Sequence, residues 1–131
     1  MVRSIKDIYR DREFDLVTCV PMHKDTLRKR GYNQAELLAK ECARILGIEY
    51  ADLLTKTKKN KTQHSIKAAE RAKNVIGVYS PIDKNLIKGK RILIIDDIIT
   101  TGSTLGECAR ILNKCKCGEI CCCTLCTSLL I

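Results

Sequence analysis

Aromatic residues and long apolar runs are scarce in this 131-residue chain. It contains four tyrosines, one phenylalanine and no tryptophan, so surfaces that stack successive bases on aromatic rings are poorly supplied. No apolar run reaches the ~18 residues that a membrane-spanning helix needs. A charged-then-apolar N-terminal segment of secretory type is also absent. We therefore predict a cytoplasmic protein with no membrane anchor.

Negative charge is in short supply as well. Twenty-four lysines and arginines face 15 aspartates and glutamates, so the formal net charge is +9. This balance favours anionic partners such as phosphates, nucleotides or a nucleic-acid backbone, without choosing among them. The hydrophobic fraction of 45% and the charged fraction of 30% are typical of one globular domain.

The nine cysteines are unevenly placed. Three stand singly in apolar patterns, and the other six crowd the C-terminus: Cys115, Cys117, Cys121, Cys122, Cys123 and Cys126. A disulfide framework is not typical of a cytoplasmic protein. The C-x-C and C-x2-C spacings are compatible with zinc. A zinc site needs thiolates that converge on one point, whereas side chains of a strand alternate between its faces. Cysteine also packs as a small hydrophobe, so we prefer a buried strand as the interpretation.

Apolar runs alternate with helical patterns along the chain. The predicted helices are Ile5–Phe14, the segment from Asn33 to Gly47 and Thr104–Asn113; the predicted strands are Leu16–Val20, Ile48–Leu54, Val75–Tyr79, Ile92–Ile95 and Ile120–Cys126; the predicted loops are His23–Tyr32 and Lys56–Asn74. Strands that are apolar on both faces and alternate with helices indicate a parallel α/β sheet. We predict a single domain with a parallel sheet of about five strands flanked by helices.

The helix that follows Asn33 has recognisable start and stop signals. Asn33 is a good N-cap, and Gly47 is placed to end the helix. The residues predicted to share its buried face are Ala35, Leu38, Ala39, Cys42, Ile45 and Leu46.

Two adjacent carboxylates stand at the end of the fourth predicted strand, in the stretch RILIIDDIITTGST. Ligands of parallel α/β sheets bind beyond the carboxyl ends of the strands, which is where Asp96 and Asp97 are expected. The five small residues that follow lead into a helix: Thr100, Thr101, Gly102, Ser103 and Thr104. Their hydroxyls and the free N–H groups of a helix N-terminus suit a phosphate. The segment therefore predicts a sugar-phosphate site.

Three segments resemble known families. IIDDIITTGST resembles the phosphoribosyl-diphosphate signature of type I phosphoribosyltransferases. VPMHKDTLRKRGYNQAELLA and QHSIKAAERAKNV resemble segments of the ComF, or competence protein F, family, and the three matches keep the family's order. Members of that family usually begin with a zinc ribbon, whereas this chain starts just before the first predicted strand. We therefore expect one phosphoribosyltransferase-like domain over residues 1–131, without the ribbon.

The resemblance implies a role for each matched segment. Asp96 and Asp97 would be the catalytic pair that accepts the ribose hydroxyls, and residues 100–104 would hold the 5-phosphate. The loop after the first strand, with Met22, His23 and Lys24, would face the diphosphate. Mg²⁺ would bridge diphosphate and ribose oxygens, and no protein ligand is assigned to it. For His23, a solvated loop histidine is an equally good interpretation.

The basic segment Lys56–Asn74 is predicted to be a mobile loop. Lys61 and Arg71 are our candidates for closing on the diphosphate, although the same charges suit single-stranded DNA. Two functions follow. One is transfer of a phosphoribosyl group to a nitrogen nucleophile, and the other is a non-catalytic accessory or sensor protein that binds phosphoribosyl diphosphate during DNA uptake. The acceptor and the oligomeric state do not follow from the sequence.

Overall fold

The computed structural model describes residues 1–58, 76–99 and 102–127. The helices are α1 (Val2–Ile8), α2 (Lys24–Arg30), α3 (Gln34–Leu46), α4 (Lys84–Ile87) and α5 (Ser103–Lys114); the strands are β1 (Leu16–Cys19), β2 (Glu49–Tyr50), β3 (Leu54–Lys56), β4 (Tyr79–Pro81), β5 (Arg91–Ile99) and β6 (Glu119–Thr127). Within these residues, no helix is both long enough and apolar enough to cross a membrane.

Four strands form one parallel sheet in the order β2-β1-β5-β6. Strand β5 lies between β1 and β6, and its residues Ile92–Ile95 are 0% exposed. A strand covered on both faces must be apolar at consecutive positions, which is why it reads as an unbroken aliphatic run. The predicted α/β fold with a parallel sheet flanked by helices is confirmed.

The side chains of the sheet divide into two cores, one on each face. Helix α5 and the β3–β4 hairpin contribute to the first core, whose buried residues include Leu53, Leu54, Tyr79, Ile92, Ile94, Leu105, Cys108, Ile111 and Leu112. Helices α1 and α3 contribute to the second core, whose buried residues include Ile5, Val17, Ala35, Ala39, Cys42, Leu93, Ile95 and Cys121. Alternation along β5 therefore sends successive side chains to different helices.

Strand β6 carries four of the six C-terminal cysteines, and three of them are divided between the two cores. Cys121 and Cys123 pack with the core under α3, whereas Cys122 packs against the core under α5. Thiolates that bind one zinc ion must converge on a point, and neighbours on a strand point to opposite faces. Among the residues that the structure describes, no group of three or more histidines, cysteines or acidic residues is placed to hold a metal.

Two strand predictions are wrong in their pairing. The predicted strand Ile48–Leu54 is divided between β2 and β3, and β3 pairs antiparallel with β4 in a separate two-stranded sheet. Of the predicted strand Val75–Tyr79, Val75 lies outside the described residues, and residues 76–77 form a turn in which Gly77 has a φ of +75°. Strand β4 instead includes Pro81, which is tolerated where no ladder hydrogen bond has to be donated.

The N-terminal half holds three further differences from prediction. The basic segment after β1 is not a loop, since it forms α2 between its caps His23 and Gly31. Helix α1 ends at Ile8, short of the predicted Phe14. Helix α3 has the predicted caps, but Ile45 is exposed and Ala43 takes a buried place instead. Helical periodicity places Ile45 at the edge of the apolar face of α3, and at that edge periodicity alone does not decide whether a residue is buried.

We predict that Cys108→Ser lowers the free energy of unfolding by about 1–2 kcal/mol, because the new hydroxyl is buried in an apolar core. Cys108 is 0% exposed, and burial raises the pKa of its thiol. Cys117→Ser is the matched control, since Cys117 is only half-buried and its sulfur lies 3.4 Å from Asn113 Oδ1, a contact that serine can keep. Urea unfolding of both variants measures the difference. Equal effects would contradict the assigned core.

Candidate functional site

The two carboxylates lie on the central strand, near its carboxyl end. Strand β5 does not stop at Ile95 as predicted: it continues through the pair to Ile99, because β6 pairs with it along this length, with Asp96 opposite Thr124. The Oδ1 atom of Asp96 accepts a hydrogen bond of 2.9 Å from the Asp97 N–H. The Oδ1 atom of Asp97 accepts one of the same length from the Ile98 N–H. Both carboxylates thereby accept a hydrogen bond from the backbone near the carboxyl edge of the sheet.

Asp96 is the more strongly perturbed of the two carboxylates. Burial disfavours its ionised form and, together with the neighbouring Asp97, raises its pKa to about 7. In the part of the chain that the structure describes, no cation forms an ion pair with Asp96. A half-buried carboxyl with a raised pKa at the end of a central strand is characteristic of a binding or catalytic site.

The segment after β5 becomes a helix at Gly102. This glycine is the N-cap of α5 and has a φ of +78°, a conformation that costs other residues strain. The first turn of α5 then presents the N–H groups of Ser103 and Thr104 at the same edge of the sheet as the carboxylates, where the helix dipole favours an anion. Thr100 and Thr101, which were also predicted to belong to the phosphate loop, lie outside the described residues.

The β3–β4 hairpin adds two residues to the site that sequence reasoning missed. The hydroxyl of Tyr79 is hydrogen-bonded to Thr104, and burial raises its pKa. The Nζ atom of Lys56 lies 5.8 Å from the centre of the Tyr79 ring, and desolvation lowers the pKa of this lysine. Lys56 makes no ion pair with any described residue. The alternation of apolar and polar residues over Leu54–Lys56 could have indicated that Lys56 belongs to a strand. From the sequence, Lys56 was instead assigned to the following loop.

A buried carboxylate fastens the end of this hairpin to α5. Glu107 is only 6% exposed. Its Oε1 atom accepts a hydrogen bond of 3.2 Å from the Gly77 N–H, and both of its oxygens accept hydrogen bonds from Arg110. The helix that begins at Gly102 is therefore tied to the chain that enters β4. The hairpin and the first turn of α5 are held in a fixed relation.

The segment after β1 lies beside the acidic pair. Cys19 is opposite Ile95 in the sheet, and the Val20 N–H donates to the Ile95 carbonyl, so Met22 and Lys24 follow at the same edge. His23 is not the solvated loop histidine considered above. It is 9% exposed, and its Nδ1 atom accepts a hydrogen bond from the Asp25 N–H at the start of α2.

Three of the predicted segments therefore meet at one edge of the sheet: the acidic pair, the start of α5 and the residues after β1. Lys61 and Arg71, the predicted closing residues, lie outside the described residues. The assembled groups can hydrogen-bond hydroxyls through carboxylates and bind anions through backbone N–H groups and a lysine. That combination suits a polyol phosphate.

We predict that Asp96→Asn stabilises the ligand-free protein at pH 8 by about 1–2 kcal/mol, after allowance for partial solvent screening. The folded-state pKa of Asp96 is raised, so ionisation lowers the free energy of unfolding. This loss begins as pH rises above the ordinary aspartate value of 3.8 and is complete above the folded-state pKa. The gain from the substitution should therefore disappear near pH 4.

Urea unfolding at several pH values between 4 and 8 measures this difference. Asp11→Asn, at an exposed position, is the control and should change stability little at any pH. A variant at Asp96 that is as stable as the parent protein at pH 8 would contradict the buried-carboxylate assignment.

Comparison with known proteins places this chain in a family. Residues 33–129 match the family described as Phosphoribosyl transferase domain. The chain is 33% identical over 121 residues to Competence protein F of Haemophilus influenzae, which covers 91% of this chain and 53% of that protein. It is 30% identical over 109 residues to Competence protein ComFC of Streptococcus pneumoniae, covering 83% and 46% respectively. The chain thus spans about half the length of these curated relatives.

A solved structure gives the same fold. The purine phosphoribosyltransferase of Pyrococcus horikoshii superposes with a TM-score of 0.59 at 20% identity, covering 96% of this chain and 68% of that one. At this identity the likeness concerns the fold alone. Together with the family match and the curated relatives, it confirms the resemblance found in the sequence: the chain belongs to the phosphoribosyl transferase domain family and, within it, to the ComF group.

Proposed function

We propose that the protein binds phosphoribosyl diphosphate together with Mg²⁺ and transfers the phosphoribosyl group to a nitrogen nucleophile. The observation that carries this proposal is the adjacent pair Asp96 and Asp97 on the central strand, beside a helix that begins at a glycine. Carboxylates accept hydrogen bonds from the ribose hydroxyls, and the segment Thr100–Thr104 takes the 5-phosphate. The residues Met22–Lys24 face the diphosphate.

Lys56, the half-buried lysine of the hairpin, is a further candidate for binding the anionic part of the ligand. Lys56 is partly desolvated and has no anionic partner among the described residues, so an incoming phosphate would offset the cost of burying its charge. Its contact with Tyr79, which is hydrogen-bonded to Thr104, links it to the start of α5. We assign Lys56 to the anionic part of the ligand, alongside the proposed closing residues Lys61 and Arg71.

The site is chemically suited to Mg²⁺. Its side-chain donors are hard carboxylate oxygens, and a nearby cation would favour the ionised form of Asp96. Asp96 and Asp97 are the described side chains that would hold the ion, together with oxygens of the ligand. When bound, the ion would neutralise negative charge on the diphosphate.

The proposed transfer exchanges one bond at the anomeric carbon for another. The bond from that carbon to the diphosphate oxygen breaks, and its electron pair leaves with the diphosphate. The lone pair of the nucleophile forms the new carbon–nitrogen bond, and the nitrogen then loses a proton to solvent. The protein's own contribution is positioning and electrostatic stabilisation. No described residue is assigned as a general base.

A non-catalytic role is the second candidate. The curated relatives include proteins named for competence and one named DNA utilization protein YhgH, which favours an accessory or sensor protein of DNA uptake that retains the ligand site. The excess of positive charge is compatible with single-stranded DNA as a partner. Release of diphosphate in the presence of ammonia, glutamine or nucleobases, with Mg²⁺ present, separates the candidates: the enzyme releases it and the sensor only binds.

We predict that Asp96→Asn and Asp97→Asn each weaken binding of phosphoribosyl diphosphate about 10- to 100-fold. The reason is the loss of charge-assisted hydrogen bonds, worth about 1.5–3 kcal/mol, to ribose hydroxyls. Calorimetric titration with Mg²⁺ present measures the affinity, and Asp11→Asn is the matched control. Unchanged affinity in both variants would refute the site assignment.

We predict that Lys56→Gln also weakens this binding by about tenfold or more, because a partly desolvated cation is removed from the anionic part of the ligand. The stability of the ligand-free variant should not fall, since the charge that burial disfavours is gone. Lys58→Gln, two residues further along and exposed, is the control. Equal affinities of the two lysine variants would exclude a specific role for Lys56.

A further inference from the structure

A cavity of about 510 Å³ lies at the end of the sheet opposite the acidic pair. It is formed by α1, the segment before β1, the end of α3 and the start of β5, and its lining residues are Ile5, Lys6, Tyr9, Arg10, Arg12, Glu13, Phe14, Leu46, Ile48 and Arg91. This volume is within the range of roughly 300–1,000 Å³ that is typical of small-molecule sites. None of these residues belongs to the sugar-phosphate site described above.

The cavity has a fixed aromatic wall. The rings of Tyr9 and Phe14 are in edge-to-face contact, with centroids 5.7 Å apart and an interplanar angle of 89°. The hydroxyl of Tyr9 donates a hydrogen bond of 3.0 Å to the Cys122 carbonyl, which holds the ring against β6. Two of the five aromatic residues in the whole chain therefore line this cavity, and their positions are set before any ligand arrives.

Charge at the cavity is unbalanced. Four cationic side chains line it against the single carboxylate of Glu13. Arg91 forms ion pairs with both Asp15 and Glu13, so these three groups together carry one net negative charge, and Arg12 is paired with Glu119. Lys6 and Arg10 form no ion pair with any residue that the structure describes. These two exposed side chains, the cationic rim, are the unpaired cations beside the aromatic wall, and with them the four cations and three carboxylates named here carry a net charge of +1.

We propose that this cavity binds a small aromatic anion, with its planar ring against the aromatic wall and its anionic group at the cationic rim. Both nucleotides and aryl carboxylates have this chemistry. Asp96 is five positions along β5 from Arg91 at the cavity, which at ~3.3 Å per residue is about 17 Å. A ligand of this size bound at the cavity therefore does not occupy the sugar-phosphate site.

The test uses 8-anilinonaphthalene-1-sulfonate, a fluorescent aromatic anion that carries no sugar phosphate. We expect saturable binding to the folded protein, weakened about tenfold by the double substitution Lys6→Gln and Arg10→Gln, because two exposed charge contacts are lost. The double substitution Lys84→Gln and Lys88→Gln, at exposed positions outside the cavity, is the control and should leave the affinity unchanged. Thermal melts establish that both variants remain folded.

Displacement of the probe distinguishes the two sources of ligand. Displacement by a nucleoside monophosphate assigns the site to nucleotides, and displacement by indole-3-acetate assigns it to aryl carboxylates. Uridine has a planar ring but no anionic group, and inorganic phosphate is an anion without a ring. Neither compound should displace the probe. Displacement by neither aromatic anion overturns the ligand class.

Three results would overturn the site itself. They are the absence of saturable binding, equal affinity in the cationic-rim variant, and loss of binding in Asp97→Asn. The last result would place the probe in the sugar-phosphate site. Phosphoribosyl diphosphate is not used in this experiment. A negative result here would therefore not contradict the proposed phosphoribosyl transfer, which is tested separately.

Discussion

The rest of the structure depends on the burial of β5 between two strands and under helices on both faces. Its four consecutive aliphatic residues, Ile92–Ile95, are removed from solvent completely. At ~1.5–3 kcal/mol for each buried side chain, this strand is a large source of the stability that offsets the entropy of ordering the chain. The parallel pairing of β5 with β1 and β6 sets its direction in the sheet. That direction determines the edge of the sheet at which Asp96 and Asp97 lie.

Placing carboxylates on such a strand has a thermodynamic cost. Burial raises the pKa of Asp96 because the ionised form loses hydration that the ligand-free protein does not replace. On the β3–β4 hairpin, Lys56 is partly desolvated and has no anionic partner among the described residues. An unpaired buried charge is unfavourable in each case. The proposed partner, a hydroxyl-bearing, anionic ligand accompanied by a cation, would relieve both costs, and under that proposal the site gives up stability in exchange for affinity.

The hairpin β3–β4 is the element that joins the parts of the site. It contributes Lys56 and Tyr79, and the chain leading into it is bonded to Glu107 of α5. Because Tyr79 is hydrogen-bonded to Thr104, a displacement of the hairpin would be felt at the first turn of α5. The position of the first turn of α5 and the position of Lys56 therefore depend on the same hairpin. The cavity at the other end of the sheet shares no residue with this site.

The sequence by itself determined the fold class, the location of the acidic pair and the caps of α3 at Asn33 and Gly47. Each of these is a local consequence of composition: an aliphatic run, a capping side chain or a glycine has the same preference wherever it occurs. Only the tertiary structure decided that β3 leaves the parallel sheet to pair with β4, that His23 caps α2, and that Lys56 is half-buried. The physical reason is that periodicity encodes which face of a segment is buried, whereas pairing, desolvation and pKa depend on which distant residues cover that face.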